Sequence, residues 1–124
     1  MRALLDTSLL ADAEPRPLPP GTLDEGWAMS AVTSGELEAG VLLAPDGRTR
    51  SQRLRRLVAL ARGPLVLPVD RQVASAYAEL RQSVSRMASN DLWIAATALA
   101  HGLVLVTADE RQARLPLVES RYVG

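Results

Sequence analysis

The chain has 124 residues, is formally neutral and is 48% hydrophobic, so it can bury one core but is too short for two; a single domain over residues 1–124 is expected. It has no cysteine and one histidine, His101, which excludes disulfides, thiolate nucleophiles and His-rich zinc sites. No uncharged apolar run reaches the ~18 residues of a membrane span, and Asp6 falls where a signal peptide needs its apolar centre, so a cytoplasmic protein without a membrane partner is expected.

In chain order, Arg2 to Leu5 reads as a short buried strand and Thr7 to Ala13 as a brief helix or turn, stopped by the proline run Pro15, Pro17, Pro19 and Pro20. Ala28 to Val32 is a second strand. Thr33-Ser34-Gly35-Glu36 has capping-box spacing before a short helix through Leu37, Ala39, Val41 and Leu42, ended by Pro45-Asp46-Gly47. Arg48 to Arg62 carries Leu54, Leu57, Val58 and Ala61 at helical spacing with arginines on the other faces, and Gly63-Pro64 stops it. Leu65 to Val69 is a third strand, and Asp70 to Val84 a helix with Val73, Ala76, Tyr77 and Leu80 inward. Ser89 or Asn90 can cap the next helix, which is apolar on nearly every side and ends at Gly102. Leu103 to Val106 is the fourth strand, Asp109 to Ala113 a helical turn, and Val118 to Val123 an edge strand. Strands alternating with helices predict an α/β three-layer sandwich around a mostly parallel sheet.

Acids recur where these elements meet. Asp6 follows the first strand, Glu36 the second, Asp91 opens the apolar helix, and Asp109 follows the fourth strand. Ligands of parallel sheets bind at the strands' carboxyl ends, so these acids should converge on one cleft. Converging carboxylates repel, and a hard divalent cation such as Mg²⁺ or Mn²⁺ is the usual compensation, which points to phosphoryl chemistry. Taken singly, each acid has a structural explanation as a helix cap: Asp6 before its turn, Glu36 as third residue of a capping box, and Asp109 within Thr107-Ala108-Asp109-Glu110. Asp91 suits the dipole of a first helical turn but shares a face with Ile94, Ala95 and Ala98, which pack inward. The chain has no lysine to pair with it. Glu38 and Glu110 are secondary candidates that read first as solvated surface acids.

The segment from Asn90 to Asp109, NDLWIAATALAHGLVLVTAD, closely resembles the C-terminal signature of PIN-domain nucleases, particularly the VapC toxins of bacterial toxin–antitoxin pairs. Leu4-Leu5-Asp6-Thr7-Ser8 resembles that family's N-terminal motif, and Ser30-Ala31-Val32-Thr33-Ser34-Gly35-Glu36-Leu37 its central Glu motif. The resemblance runs to about Asp109, in family order and spacing. It implies a PIN fold and a Mg²⁺-dependent endoribonuclease in which Mn²⁺ substitutes, with catalytic and metal-binding roles for Asp6, Glu36, Asp91 and Asp109. Thr107 matches a supporting hydroxyl position. Cleavage by water to 5′-phosphate and 3′-hydroxyl ends, a cognate VapB-like antitoxin, and a homodimer or toxin–antitoxin hetero-oligomer are also implied. Two departures stand out: the Pro15–Pro20 stretch replaces much of the first helix, and the arginines common before the Asp91 motif are reduced to Arg86.

Arginine supplies every basic residue, and the densest positive segment runs from Arg48 to Arg62. A charged helix face needs no partner but water, yet guanidinium groups also suit phosphate and carboxylate, so Arg50, Arg53 and Arg56 are candidate contacts to RNA or to an acidic antitoxin segment. Trp27 and Trp93 are candidates to stack on bases, with core or interface packing the first reading for Trp93. His101 reads as a dipole-compatible residue at a helix end. A phosphoacceptor receiver would need a lysine, and a dehalogenase-type phosphatase would need an acid where Ser8 stands. The competing function is therefore a PIN-fold binding module that acts through its antitoxin complex without cleaving RNA.

Overall fold

The computed structural model describes residues 2–11 and 16–124. The strands β1 (Ala3–Leu5), β2 (Trp27–Ser30), β3 (Leu65–Leu67), β4 (Val104–Thr107) and β5 (Ser120–Tyr122) form one sheet in the order β3-β2-β1-β4-β5. Each neighbouring pair is parallel, so the expectation of a mostly parallel sheet is met in full. β1 lies in the middle, with Leu4 opposite Ala28 on one side and Leu105 on the other. The chain builds outwards from β1 in one direction through β2 and β3 and in the other through β4 and β5. This places the switch of strand order between β1 and β4, where parallel sheets open a crevice.

Successive strand residues enter different cores, as the two-residue period of a pleated strand requires. Leu4, Ala28 and Leu105 join Val73, Ala76, Leu80, Leu92, Ile94 and Ala95, from α4 (Arg71–Ser83) and α5 (Ser89–His101). Ala3, Leu5, Met29, Val104 and Val106 join Leu9 and Leu10 of α1 (Thr7–Leu10), with Leu37 and Leu60 against them. Those last two belong to α2 (Ala31–Leu42) and α3 (Gly47–Leu60). The three-layer sandwich is complete with the short α6 (Glu110–Ala113) after β4. α5 fills the first core because it is apolar on nearly every side, burying Leu92, Ile94, Ala95, Ala96, Thr97 and Ala98.

Several boundaries differ from the sequence reading. β2 stops at Ser30, whose hydroxyl accepts from the Val32 amide at 3.1 Å and caps α2. Ala31 and Val32 therefore form the first turn of α2 rather than the end of a strand; two apolar residues carry no signal that separates these states. The capping box expected from Thr33 to Glu36 is absent, since both residues lie inside the helix. α5 starts behind Ala88 without a side-chain cap, so neither Ser89 nor Asn90 caps it. Asp109 caps α6, as its place before the expected turn allowed, whereas the capping box that would start at Thr107 does not form. α3 buries none of its residues fully, and Leu54 and Val58, two of the apolar residues at helical spacing, remain 47% and 52% exposed. Residues 12 and 13 of the helix expected to Ala13, and Pro15, lie outside the described residues.

Gly102 ends α5 in the left-handed region, φ 64°, with open space where a Cβ would stand. Only backbone conformation opposes a side chain there. Gly102→Ala is expected to cost about 1 kcal/mol of stability in urea unfolding.

Candidate active site

Because every strand is parallel, β1 and β4 finish at the same edge of the sheet, and the residues that follow them meet there. Asp6 is 3% exposed. Its Oδ2 accepts from the Ser8 amide at 3.0 Å, capping α1, and its Oδ1 accepts from Gln112 Nε2 at 3.1 Å. Gln112 is fully buried and uses its whole amide: Nε2 also donates to the Asp91 carbonyl at 3.1 Å, and Oε1 accepts from Thr107 Oγ1 at 2.6 Å. That short contact takes the single Thr107 proton, leaving Asp6 Oδ2, 3.4 Å away, a weaker partner. Thr107 Oγ1 also accepts from the Asp109 amide at 3.0 Å. Ser8 Oγ lies 3.3 Å from Thr107 Oγ1 and accepts from the Ala108 amide at 3.0 Å. One buried network therefore ties the ends of β1 and β4 to the start of α5.

Glu36 sits in the second turn of α2, three residues after buried Thr33 and on the same helix face. Its Oε1 accepts from Thr7 Oγ1 at 2.7 Å and its Oε2 from Asn90 Nδ2 at 3.4 Å. Those contacts aim it across the β1 edge towards the beginning of α5, and with α2 starting at Ala31 the cap explanation for Glu36 falls away. For Asp109 the cap explanation holds: its Oδ1 accepts from the Arg111 and Gln112 amides at 2.9 and 3.3 Å.

Asp91, in the first turn of α5, is half-buried, and among the described residues its carboxylate takes part in no hydrogen bond or ion pair. Its pKa is pushed up to about 6, first by burial and then by the negative charges of Asp6, Asp109 and Glu36, with Arg111 opposing. The helix dipole would favour the ionised form, so the upward direction means that burial and like charge outweigh it. The four acids act on one another through space. They do not touch: among the described residues no three potential metal-ligating side chains are gathered closely enough to hold an ion between them. The donor set is nonetheless carboxylate oxygen throughout, which suits a hard divalent cation, and Arg111 offsets the charge at Asp91 only in part.

The other sequence candidates separate. Arg50 donates from Nε and Nη2 to the Val41 and Leu42 carbonyls at 3.3 and 3.0 Å, and Arg53 donates from Nη1 to the Gly40 carbonyl at 2.7 Å. Both thus satisfy carbonyls at the C-terminal end of α2, a role for cations the sequence did not suggest. Arg56 lines a 230 Å³ groove with Thr7, Glu36, Leu37 and Leu57, and its buried Nε has no acceptor among the described residues. Glu110 pairs with Arg114 and Glu38 is exposed. Trp93 stacks on Tyr77 at 3.9 Å between ring centres, joining α5 to α4. His101 occupies the last turn of α5. Gln112 escaped the sequence reading because Glu-Arg-Gln-Ala looks like any solvated turn; only its position three residues after Asp109 hints at an inward face.

A PIN domain model matches residues 3–117. Ribonuclease VapC4 of Mycobacterium tuberculosis is 39% identical over 123 residues, covering 95% of this chain and 94% of that protein. Toxin FitB of Neisseria gonorrhoeae is 32% identical, covering 86% of each. The crystal structure of VapBC-5, a member of the VapBC family of toxin–antitoxin systems from M. tuberculosis, superposes with a TM-score of 0.79 at 36% identity over 98% of both chains. The fold and the acid-bearing sheet edge thus define a PIN domain. The chain belongs to the PIN-domain family, alongside ribonucleases of the VapC type.

Two outcomes are expected of this geometry. The Asp91 carboxyl titrates near 6 when folded and near 3.8 when unfolded, so between these values the unfolded chain releases its proton first. Metal-free stability should fall as pH rises from about 4 to about 6 and then level off, by of order 1 kcal/mol once solvent screening of a half-exposed group is allowed for. Asp91→Asn should flatten that part of the curve and melt no lower than the parent at neutral pH; a lower melt with an unchanged pH slope would make Asp91 a structural cap. Gln112→Met keeps the volume but leaves Asp6 Oδ1 and the Asp91 carbonyl without their donor, and should cost about 2 kcal/mol in urea unfolding.

Proposed function

We propose that this protein is a metal-dependent endoribonuclease, one domain working in the cytoplasm as the toxin of a toxin–antitoxin pair. The observation that carries the reading is the electrostatic convergence of Asp6, Glu36 and Asp109 on an Asp91 carboxylate that, among the described residues, has no hydrogen-bond or ion-pair partner. Asp6, Glu36, Asp91 and Asp109 would hold Mg²⁺, with Mn²⁺ able to replace it, and Thr107 supports them through Gln112. A bound divalent cation supplies neutralisation of charge building on the scissile phosphate and a lowered pKa for the attacking water. The chain's part is to hold four carboxylates at one sheet edge: Gln112 and the Ser8 amide orient Asp6, Thr7 and Asn90 orient Glu36, and the α6 amides orient Asp109. Asp91 must give up its proton to bind a cation, so metal affinity should climb through pH 6.

A binding module whose acids are only caps accounts for Asp109 and half of Asp6. It does not account for Glu36, which lies in the helix interior, or for Asp91, whose carboxylate bonds nothing among the described residues. The antitoxin, a VapB-like chain, would meet apolar surface that the described residues leave open on α2 and α3: Leu42 is 70%, Leu43 79%, Leu54 47% and Val58 52% exposed. Whether the assembly is a homodimer or a hetero-oligomer, no membrane is involved in this reading, and among the described residues no helix is long and apolar enough to cross one.

Purified protein should cleave single-stranded RNA with Mg²⁺ or Mn²⁺ and stop on chelation, and Asp6→Asn or Asp91→Asn should abolish cleavage while the fold survives. Mn²⁺ at a hundredfold excess over its dissociation constant should stabilise the parent by about 2.7 kcal/mol in thermal melts and Asp91→Asn far less. A folded Asp91→Asn protein that cleaves at the parent rate, or a parent melt indifferent to Mn²⁺, would sink the assignment.

A further inference from the structure

Beside the acid cluster, Arg86, Arg111 and Arg114 line a 280 Å³ open pocket with Val84, Met87 and Leu115. The three arginines come from the loop between α4 and α5 and from the α6 end of the chain, so they are brought together only by folding. All are exposed. The Arg86 guanidinium has no acceptor among the described residues. Arg111 donates from Nη2 to the Arg86 carbonyl at 2.9 Å, pinning the two segments together. Arg114 is engaged only with Glu110 in an exposed pair one helical turn apart, an interaction weak enough to be exchanged for a stronger anion.

Arg111 links this pocket to the candidate active site. Its amide donates to Asp109 Oδ1 at 2.9 Å while its side chain lines the pocket, so one residue joins a carboxylate of the cluster to the arginines. A polyanion with one phosphate among four carboxylates is repelled everywhere around that phosphate, and its neighbouring phosphates need cations close by. On the α6 side, the Arg86–Arg111–Arg114 pocket supplies them. Guanidinium groups present forked donors that match phosphate oxygens.

We propose that this pocket is a backbone-phosphate subsite that holds single-stranded RNA next to the scissile linkage, with Arg86 and Arg114 as direct phosphate contacts and Arg111 as the positioning residue between subsite and carboxylates. It rests on the ribonuclease reading for the location of the scissile phosphate. The contacts are to backbone, so the subsite tightens binding of all sequences alike and selects none.

The test uses the full-length protein carrying Asp6→Asn, so that RNA is bound and not cut, and a fluorescent single-stranded oligoribonucleotide of randomised sequence. Arg86→Gln and Arg114→Gln should each weaken binding several-fold at low salt and reduce the slope of log affinity against log salt by about 0.7. In the protein that keeps Asp6, thermal melts of the arginine variants with and without Mn²⁺ should match the parent, showing that fold and carboxylates are undisturbed. In the cleaving protein the same substitutions should raise KM with kcat little changed, whereas a group acting on the chemistry would lower kcat. Unchanged affinity and slope in both variants would overturn the subsite. So would loss of binding to a polyglutamate peptide with RNA binding intact, which would make the pocket a protein contact. Cleavage that requires the four acids but ignores Arg86 and Arg114 removes the subsite and leaves the nuclease reading standing; arginine-dependent RNA binding by a protein that never cleaves does the reverse.

Discussion

Carboxylates held together away from bulk water repel one another, and at Asp91 that repulsion adds to partial burial to lift the carboxyl to about 6. Left to itself, such a cluster would spread apart. What prevents it is the buried network in which Gln112 joins Asp6, Thr107 and the Asp91 carbonyl. Each member has a partner within the network, and partial satisfaction would be worse than an apolar core. Asp6 and Asp109 cap helices and belong to the cluster at once, which lets backbone amides offset some of their charge without consuming every lone pair.

The network can exist only because β1 and β4 are adjacent and parallel. Leu5 lies opposite Val106, so Asp6 and Thr107 leave the sheet side by side despite being far apart in the chain. α5 sets the third corner. Its apolar faces bind it into the core beneath the sheet, and its more exposed first turn carries Asn90 and Asp91. A helix with a single polar stripe could have rotated; one buried through Leu92, Ile94, Ala95, Ala96 and Ala98 has little freedom to do so.

The arginines divide by what their guanidinium groups meet. Arg50 and Arg53 saturate the last carbonyls of α2 and brace α3 against it. Arg86, Arg111 and Arg114 gather beside the acids with few acceptors of their own. The formally neutral total conceals this separation: negative charge concentrates at the strand ends and positive charge at their flank, a local field that net charge cannot report.

Much of this was readable in the residues themselves. Alternation of short apolar runs with amphipathic stretches specifies a parallel α/β sandwich because parallel strands need helical crossovers. The placement of Asp6, Glu36, Asp91 and Asp109 beside those runs pointed to one sheet edge, and the motif resemblance gave the four acids a shared role. Local patterns failed where two states satisfy them equally. Ala31 and Val32 fit a strand end or a buried helical turn, and only packing against the sheet chose the helix, moving the cap to Ser30 and freeing Glu36 from a capping role. Gln112 lies in a turn whose composition looks solvated, yet it is wholly buried, and Arg86 meets Arg111 and Arg114 across a gap in sequence. Sequence order determines which side chains flank each strand, since that depends on neighbours along the chain. Which distant groups then share a proton, a charge or a pocket depends on strand order and helix rotation, and those were decided only when the sheet and its helices packed.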